Sequence, residues 1–224
     1  RGTYSNWILK HVNDPDIRQS NIYFYDFTTN VNARIDENNS IGVFVYYSLD
    51  NFRLPTQVTY NYSNLGSSIN WQHLFGRKVF SNLSLVYSNY KLKLTNKRLI
   101  RNAYVFDHEL NHYELNHKFN YNPTNKHEVK FGYNTVFHNI SPARFTPENS
   151  ESLYERSIIE DESALESAVY IGDRFDISPK LGIEGGLRYS FFNYLGPKTV
   201  YNYHEGQIPS AETLIDSSFY NNLQ

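Results

Sequence analysis

Apolar and polar residues alternate with a period of two over most of the chain. That is the signature of strands with one apolar and one polar face. Tyr25, Phe27, Val31, Ala33 and Ile35 alternate with Asp26, Thr28, Asn30, Asn32 and Arg34. After a turn at Glu37-Asn38-Asn39, Ile41, Val43, Val45, Tyr47 and Leu49 continue the pattern. A second pair places Ile69 and Trp71, then Leu83, Leu85 and Tyr87, on the apolar face around the turn Phe75-Gly76-Arg77-Lys78. Its phase slips near Leu92 and Leu94, which predicts a β-bulge or the end of the constrained region. A third pair sets Tyr113, Leu115, Phe119 and Tyr121, then Val129, Phe131, Tyr133 and Phe137, opposite Glu114, Lys118 and Lys130. In the fourth, Leu165, Val169, Ile171, Ile183, Leu187 and Tyr189 stand opposite Glu166, Glu184 and Arg188.

Four hairpins over 21–192 give eight antiparallel strands, so the fold class is all-β. The tight turns lie near 38, 77, 124 and 178. The connections at about 50–62, 91–109 and 139–163 are longer and polar, and residues 1–20 and 193–224 read as further loop segments on the same side. Short turns at one end and long loops at the other are the habit of an up-and-down transmembrane β-barrel. Each strand offers ~10 alternating residues, enough for a tilted crossing. The longest apolar run, Val43 to Tyr47, is far too short for a spanning helix. Tyr23, Tyr25, Phe75, Phe80, Tyr121, Tyr133, Phe137, Phe191 and Tyr194 cluster near strand ends, as interface girdles would. With both ends in external loops and a finish at Asn222-Leu223-Gln224 rather than an aromatic-tipped strand, the chain is expected to be an arc of a larger barrel. Alone it would leave two bare edges in lipid.

Composition narrows the chemistry. The 224 residues include 20 Tyr, 15 Phe and no Cys, and the net charge is -2. Thiolate sites and disulfides are therefore excluded, and a nucleic-acid partner is not expected. His108-Glu109-Leu110-Asn111-His112 matches the zinc-peptidase pattern HExxH. On a helix both His would share one zinc, with Glu109 as base. On a strand they lie ~13 Å apart, too far for one ion. Alternation resumes at Tyr113 without a helix end, so a strand or loop is expected, with no catalytic residue and no bound metal or cofactor. His108 and His112, on a loop, remain candidates for contact with a ligand. The polar-face residues Asp26, Arg34, Glu114, Lys118, Lys130, Glu166, Glu184 and Arg188 are candidates for lining the lumen, with Arg188 pairing Glu184 or Glu166. A competing reading is a soluble all-β ligand- or carbohydrate-binding module that stacks its ligand on the many Tyr and Trp, with Trp7 and Trp71 the first to test.

The stretch YIGDRFDISPKLGIEGGLRY, Tyr170 to Tyr189, resembles the barrel of TonB-dependent outer-membrane receptors in the form common among Bacteroidota. Tyr170, Asp173, Ser178, Pro179, Gly186, Leu187, Arg188 and Tyr189 carry the likeness. NIYFYD at 21–26, WQHLFGRKVFSNLSLVYSNY at 71–90 and NPTNKHEVKFGY at 122–133 resemble its mid-barrel hairpins. The resemblance implies a 22-stranded barrel in the bacterial outer membrane, of which eight strands are about a third. It also implies lipid around the barrel and a plug domain outside this chain. Through that plug the TonB-ExbB-ExbD complex would drive uptake of a scarce nutrient such as a siderophore, haem, cobalamin, peptide or oligosaccharide. The polar-face charges would then contact plug or ligand.

Overall fold

The computed structural model describes residues 2–4, 6–53, 55–210 and 212–220. The finish at 222–224 lies outside the described residues. In chain order the elements are β1 (Gly2–Tyr4), the helical turns α1 (Asn6–Leu9) and α2 (Pro15–Arg18), β2 (Asn21–Arg34), β3 (Asn39–Arg53), β4 (Val58–Phe75) and β5 (Val79–Asn96). A short 3-10 turn (Ile100–Asn102) precedes β6 (Tyr104–Thr124), β7 (His127–Pro147), β8 (Ser157–Ile158), β9 (Glu162–Ser178) and β10 (Leu181–Tyr194). β11 (Lys198–Tyr203) and β12 (Leu214–Tyr220) form a separate hairpin. The main sheet has the order β1-β2-β3-β4-β5-β6-β7-β9-β10, with β8 beside β7. Each long strand pairs with its sequence neighbour, an antiparallel meander.

The tight ends form where local chemistry suits them. Asp36 accepts hydrogen bonds from the backbone N–H groups of Asn38 and Asn39, each at 2.8 Å, and from Asn39 Nδ2. Gly76 supplies the positive φ, 63°, of the β4–β5 turn. The hydrogen bonds to Asp36, those of Asn38 first, hold its carboxyl below the ordinary carboxylate range. A lowered folded value means the stabilisation is complete above the ordinary pKa and is lost as pH falls through the folded value. Protection of the Asn38 and Asn39 amides, measured against their unstructured exchange rates, is therefore expected to fall as the solution is acidified below about pH 4. Asp36→Ala should exchange fast at every pH, and an unchanged rate in that variant would refute this role.

The ladders between β2 and β6 run without a register shift. Leu92 sits opposite Tyr62 and His108, and Leu94 opposite Tyr60 and Phe106. The bulge expected at Leu92 and Leu94 is thus absent. The strand keeps its phase, and these two leucines join the polar face instead. Shifts occur at Asp107/Glu109 and Tyr121/Thr124 in the β6–β7 ladder and at Leu181/Gly182 in β9–β10. The polar connections expected at 50–62, 91–109 and 139–163 are also largely ladder. β3 runs to Arg53, β4 starts at Val58, β5 reaches Asn96 and β7 reaches Pro147. Backbone pairing there is completed by the neighbouring strand whatever the side chains, so polarity alone does not end a strand. Likewise residues 1–20 hold β1 and two helical turns, and 193–224 hold the end of β10 and the β11–β12 hairpin.

The register sorts side chains onto two faces. Phe27, Val43, Ile69, Leu85, Leu115 and Val169 share the apolar face. Aromatics mark its limits. Toward the long-connection end, Tyr87 packs on Tyr113 (4.9 Å between ring centroids) and Tyr113 on Phe137 (6.0 Å). Toward the tight turns, Phe119 stacks on Phe131 at 5.0 Å and His73 packs against Phe75 at 4.1 Å. Phe80 and Tyr194, expected in these girdles, fall on the polar face because each is even-numbered, Phe80 in an unshifted ladder and Tyr194 in the continuous part of β9–β10 beyond Gly182.

No second layer covers the apolar face among the described residues. Among the described residues the buried hydrophobic ones are only Ala103, Val136, Ala143 and Ala168, whereas Leu187 is 80% exposed and Phe27 57%. A sandwich would have turned these side chains into a shared core. Among the described residues no helix is long and apolar enough to cross a membrane, which says nothing of strands.

Candidate functional site

All eight charged candidates, Asp26, Arg34, Glu114, Lys118, Lys130, Glu166, Glu184 and Arg188, fall on one face of the sheet. Their neighbours differ. Arg34 folds back onto its own turn, donating to the carbonyls of Asp36 (3.1 Å) and Glu37 (3.4 Å). Glu114 accepts from Asn134 Nδ2 at 2.6 Å and Asn116 Nδ2 at 3.3 Å, and His112 Nε2 lies 3.4 Å away. Lys130 meets Glu128 at 3.4 Å. The expected pairing of Arg188 with Glu184 or Glu166 does not form. Arg188 donates to Ser190 instead, because Glu184 lies four residues along the same strand and Glu166 stands opposite Phe192.

Toward the tight turns, Lys118, Lys130, Glu184 and Arg188 surround a basin of about 690 Å³. Its floor is bare because Gly172 stands opposite Gly186. Beside it the Tyr170 ring lies across Gly132: a Cβ at Gly132 would meet Tyr170 Oη at 2.8 Å and the backbone oxygen of His117 at 2.3 Å.

Toward the long connections the same face changes character. Phe52, Tyr60, Tyr62, Tyr90, Phe106 and Phe145 line it, joined by Leu92 and Leu94. Phe106 packs on Phe145 at 4.9 Å, Tyr90 on His108 at 6.0 Å, and Tyr60 is stacked with Tyr62. No Lys or Arg occupies this part of the polar face in β2–β7, β9 or β10. Sequence reasoning missed this wall, although its signal was present: the slip at Leu92 and Leu94 marks apolar residues moving to the opposite face.

His108 and His112 belong to this wall. They lie on strand β6 rather than on a loop. His108 Nδ1 is 2.9 Å from the Pro142 carbonyl, and His112 packs edge-on against His138 at 5.1 Å. Glu109 points to the opposite face, where Asn89 and Lys91 bind it at 2.7 and 3.1 Å. The extended backbone therefore separates the three residues of HExxH onto two faces, and a zinc-peptidase centre cannot assemble. Among the described residues no cluster of three His, Cys, Asp or Glu is placed to hold a metal. Trp71 and Trp7 do not form a joint sugar platform either. Trp71 lies on the apolar face near the tight turns and donates to Asn39 Oδ1 at 3.1 Å, whereas Trp7 sits in α1, ahead of the β2 end that pairs with the far end of β3.

A one-layer antiparallel meander with opposed lipid-like and watery faces defines a segment of a transmembrane barrel wall, here eight long strands of a larger barrel. Solved TonB-dependent outer-membrane receptors share that fold. The chain is similar to the Serratia marcescens hemophore receptor HasR in complex with its hemophore HasA and heme (TM-score 0.64, 11% identity, 98% of this chain and 34% of that one). It is similar to the copper transporter OprC (TM-score 0.63, 11% identity, 90% and 33%). It is also similar to BauA, the ferric preacinetobactin receptor from Acinetobacter baumannii (TM-score 0.58, 12% identity, 77% and 34%). The chain thus spans about a third of each of these structures. No family model and no curated protein sequence matches it.

Proposed function

We propose that this chain is part of the barrel wall of a TonB-dependent receptor that takes up a scarce nutrient across the bacterial outer membrane. The observation that carries this reading is the single-layer sheet whose apolar face has no protein cover while its other face is charged and Asn-rich. Hydrocarbon is the one solvent that satisfies such a face. The tight turns then point to the periplasm and the long connections outward. The polar face lines the bore, with the Lys118–Lys130–Arg188 basin against the plug and the aromatic wall with His108 and His112 in the outer vestibule. Without Lys or Arg, and with Asp50, Glu162 and Glu166 on the same side, that wall suits a neutral or cationic ligand bearing rings or apolar groups. The plug, in a part of the receptor beyond this chain, would couple the wall to the TonB-ExbB-ExbD complex.

Fractionation of the full-length parent protein should recover it with the outer membrane, and unheated samples should migrate as a compact barrel on gels. Recovery in the soluble fraction would overturn the assignment. Orientation has its own readout, since the chain contains no cysteine. In a parent kept free of other cysteines, Arg98→Cys should react with a membrane-impermeant maleimide on intact cells. Arg77→Cys should react only after the outer membrane is permeabilised. The reverse pattern would invert the topology.

A further inference from the structure

We propose that His112 and His138 form a two-imidazole docking point in the bore for a divalent transition metal carried in a chelate with two adjacent coordination positions open. The inference rests on the receptor reading above and deepens it, because it names the cargo. The two histidines stand directly opposite each other in the β6–β7 ladder. Such cross-strand positions bring two side chains within reach of one small group. Their ring centroids are 5.1 Å apart and their planes meet at 67°. Two imidazoles sharing one tetrahedral ion at ~2.1 Å would place their centroids about 5 Å apart. A pair on opposite sides of a haem iron would need about 6.4 Å. The spacing therefore favours a metal with adjacent free positions over haem.

Glu114 orients this pair. Its Oε1 accepts from Asn134 Nδ2 at 2.6 Å and from Asn116 Nδ2 at 3.3 Å, which turns Oε2 toward His112 Nε2, 3.4 Å away. A carboxylate that takes the N–H of one ring nitrogen fixes the tautomer and leaves the other, here Nδ1, as the metal donor. The row across the sheet is open on both sides of the rings: Gly66 and Ser88 precede His112, and Ala164 follows His138. The next row holds Glu114 and Glu166 with Val136 between them. The nearest Lys and Arg of this face on β5–β7, β9 and β10 are Lys118 and Arg188, two rows beyond Glu114. A positively charged complex thus meets carboxylates here before any cation. Among the described residues no three His, Cys, Asp or Glu enclose an ion. Two imidazoles hold a metal when its chelate supplies the remaining ligands, so the cargo is a complex and not a bare ion. Imidazole suits zinc, copper, nickel and iron. A ferric chelate with every position filled by oxygen would gain nothing from it.

The test uses the full-length parent protein in mild detergent, free of any polyhistidine tag, titrated with Cu²⁺–iminodiacetate, a chelate that leaves positions open to imidazole. Pulsed electron paramagnetic resonance counts the imidazoles on the copper. The wild type is expected to show two at saturation. His112→Gln and His138→Gln should each show one, with affinity lower by about tenfold. Glu114→Gln should keep both imidazoles yet bind about tenfold more weakly, a split that a merely structural role would not produce. His204→Gln, between β11 and β12, should behave as the wild type. Compact mobility of the unheated variants on gels shows that each barrel has folded, and keeps failure of this site distinct from failure of the barrel assignment. A wild type with one imidazole or none would reduce the pair to an aromatic contact and overturn the proposal. So would folded His112 and His138 variants that bind the copper chelate as the wild type does.

Discussion

Leu85→Arg is expected to destabilise the folded barrel by about 2–4 kcal/mol, the cost of a guanidinium facing hydrocarbon near the bilayer midplane. Leu85 lies on the apolar face, 45% exposed, in the ladder row of Val43, Ile69 and Leu115 and between the two girdles. Its chain neighbour Ser84 faces the other way, with its hydroxyl bonded to Asn70 and Asn82. Ser84→Arg should therefore be tolerated, because water and polar partners receive the charge. Urea unfolding of the full-length parent in lipid vesicles measures both. The diagnostic result is a large difference between two adjacent positions. Equal effects would mean that the faces are not in different solvents, and the membrane reading would fall with them.

Gly132→Val should cost about 3 kcal/mol, at the upper end for overpacking. The nearest obstacle is the backbone oxygen of His117, 2.3 Å from where a Cβ would stand, and a ladder carbonyl cannot rotate aside as a side chain can. The Tyr170 ring already fills the space over Gly132, an aromatic covering a glycine across the β7–β9 pair. Tyr170→Ala provides the complementary measurement: the Val substitution should remain costly in that background, since the backbone clash persists. If removing the ring restored stability, the ring and not the carbonyl would be the obstacle.

Much of this architecture was legible from the chain alone, for one reason. A strand's side chains reverse direction at every residue, so two solvents leave a two-residue beat in the sequence. Tyr25 to Ile35, Ile41 to Leu49 and Tyr113 to Tyr121 announce strand, face and partner order without reference to anything distant. The same rule dismantles HExxH, because residues 108 and 109 of a strand cannot share a face. What escaped the sequence lies beyond the girdles. On the proposed membrane reading, the extended strands leave the bilayer there, hydrocarbon no longer selects the outward residues, and the beat inverts. Leu92 and Leu94 then look like a slip, and the polar stretches near 53, 96 and 139 look like loops.

Sequence by itself determined the hairpins, the apolar face and the placement of Asp26, Glu114, Lys130 and Arg188 opposite it. Those assignments need only local alternation. The tertiary structure decided where strands end, that Arg188 turns to Ser190 rather than to a carboxylate, and that Phe52, Tyr60, Leu92, Phe106 and Phe145 meet in one wall. Those outcomes depend on which residues become neighbours across ladders. Cross-strand adjacency is set by register summed over many hydrogen bonds, a long-range quantity that no short window of sequence contains.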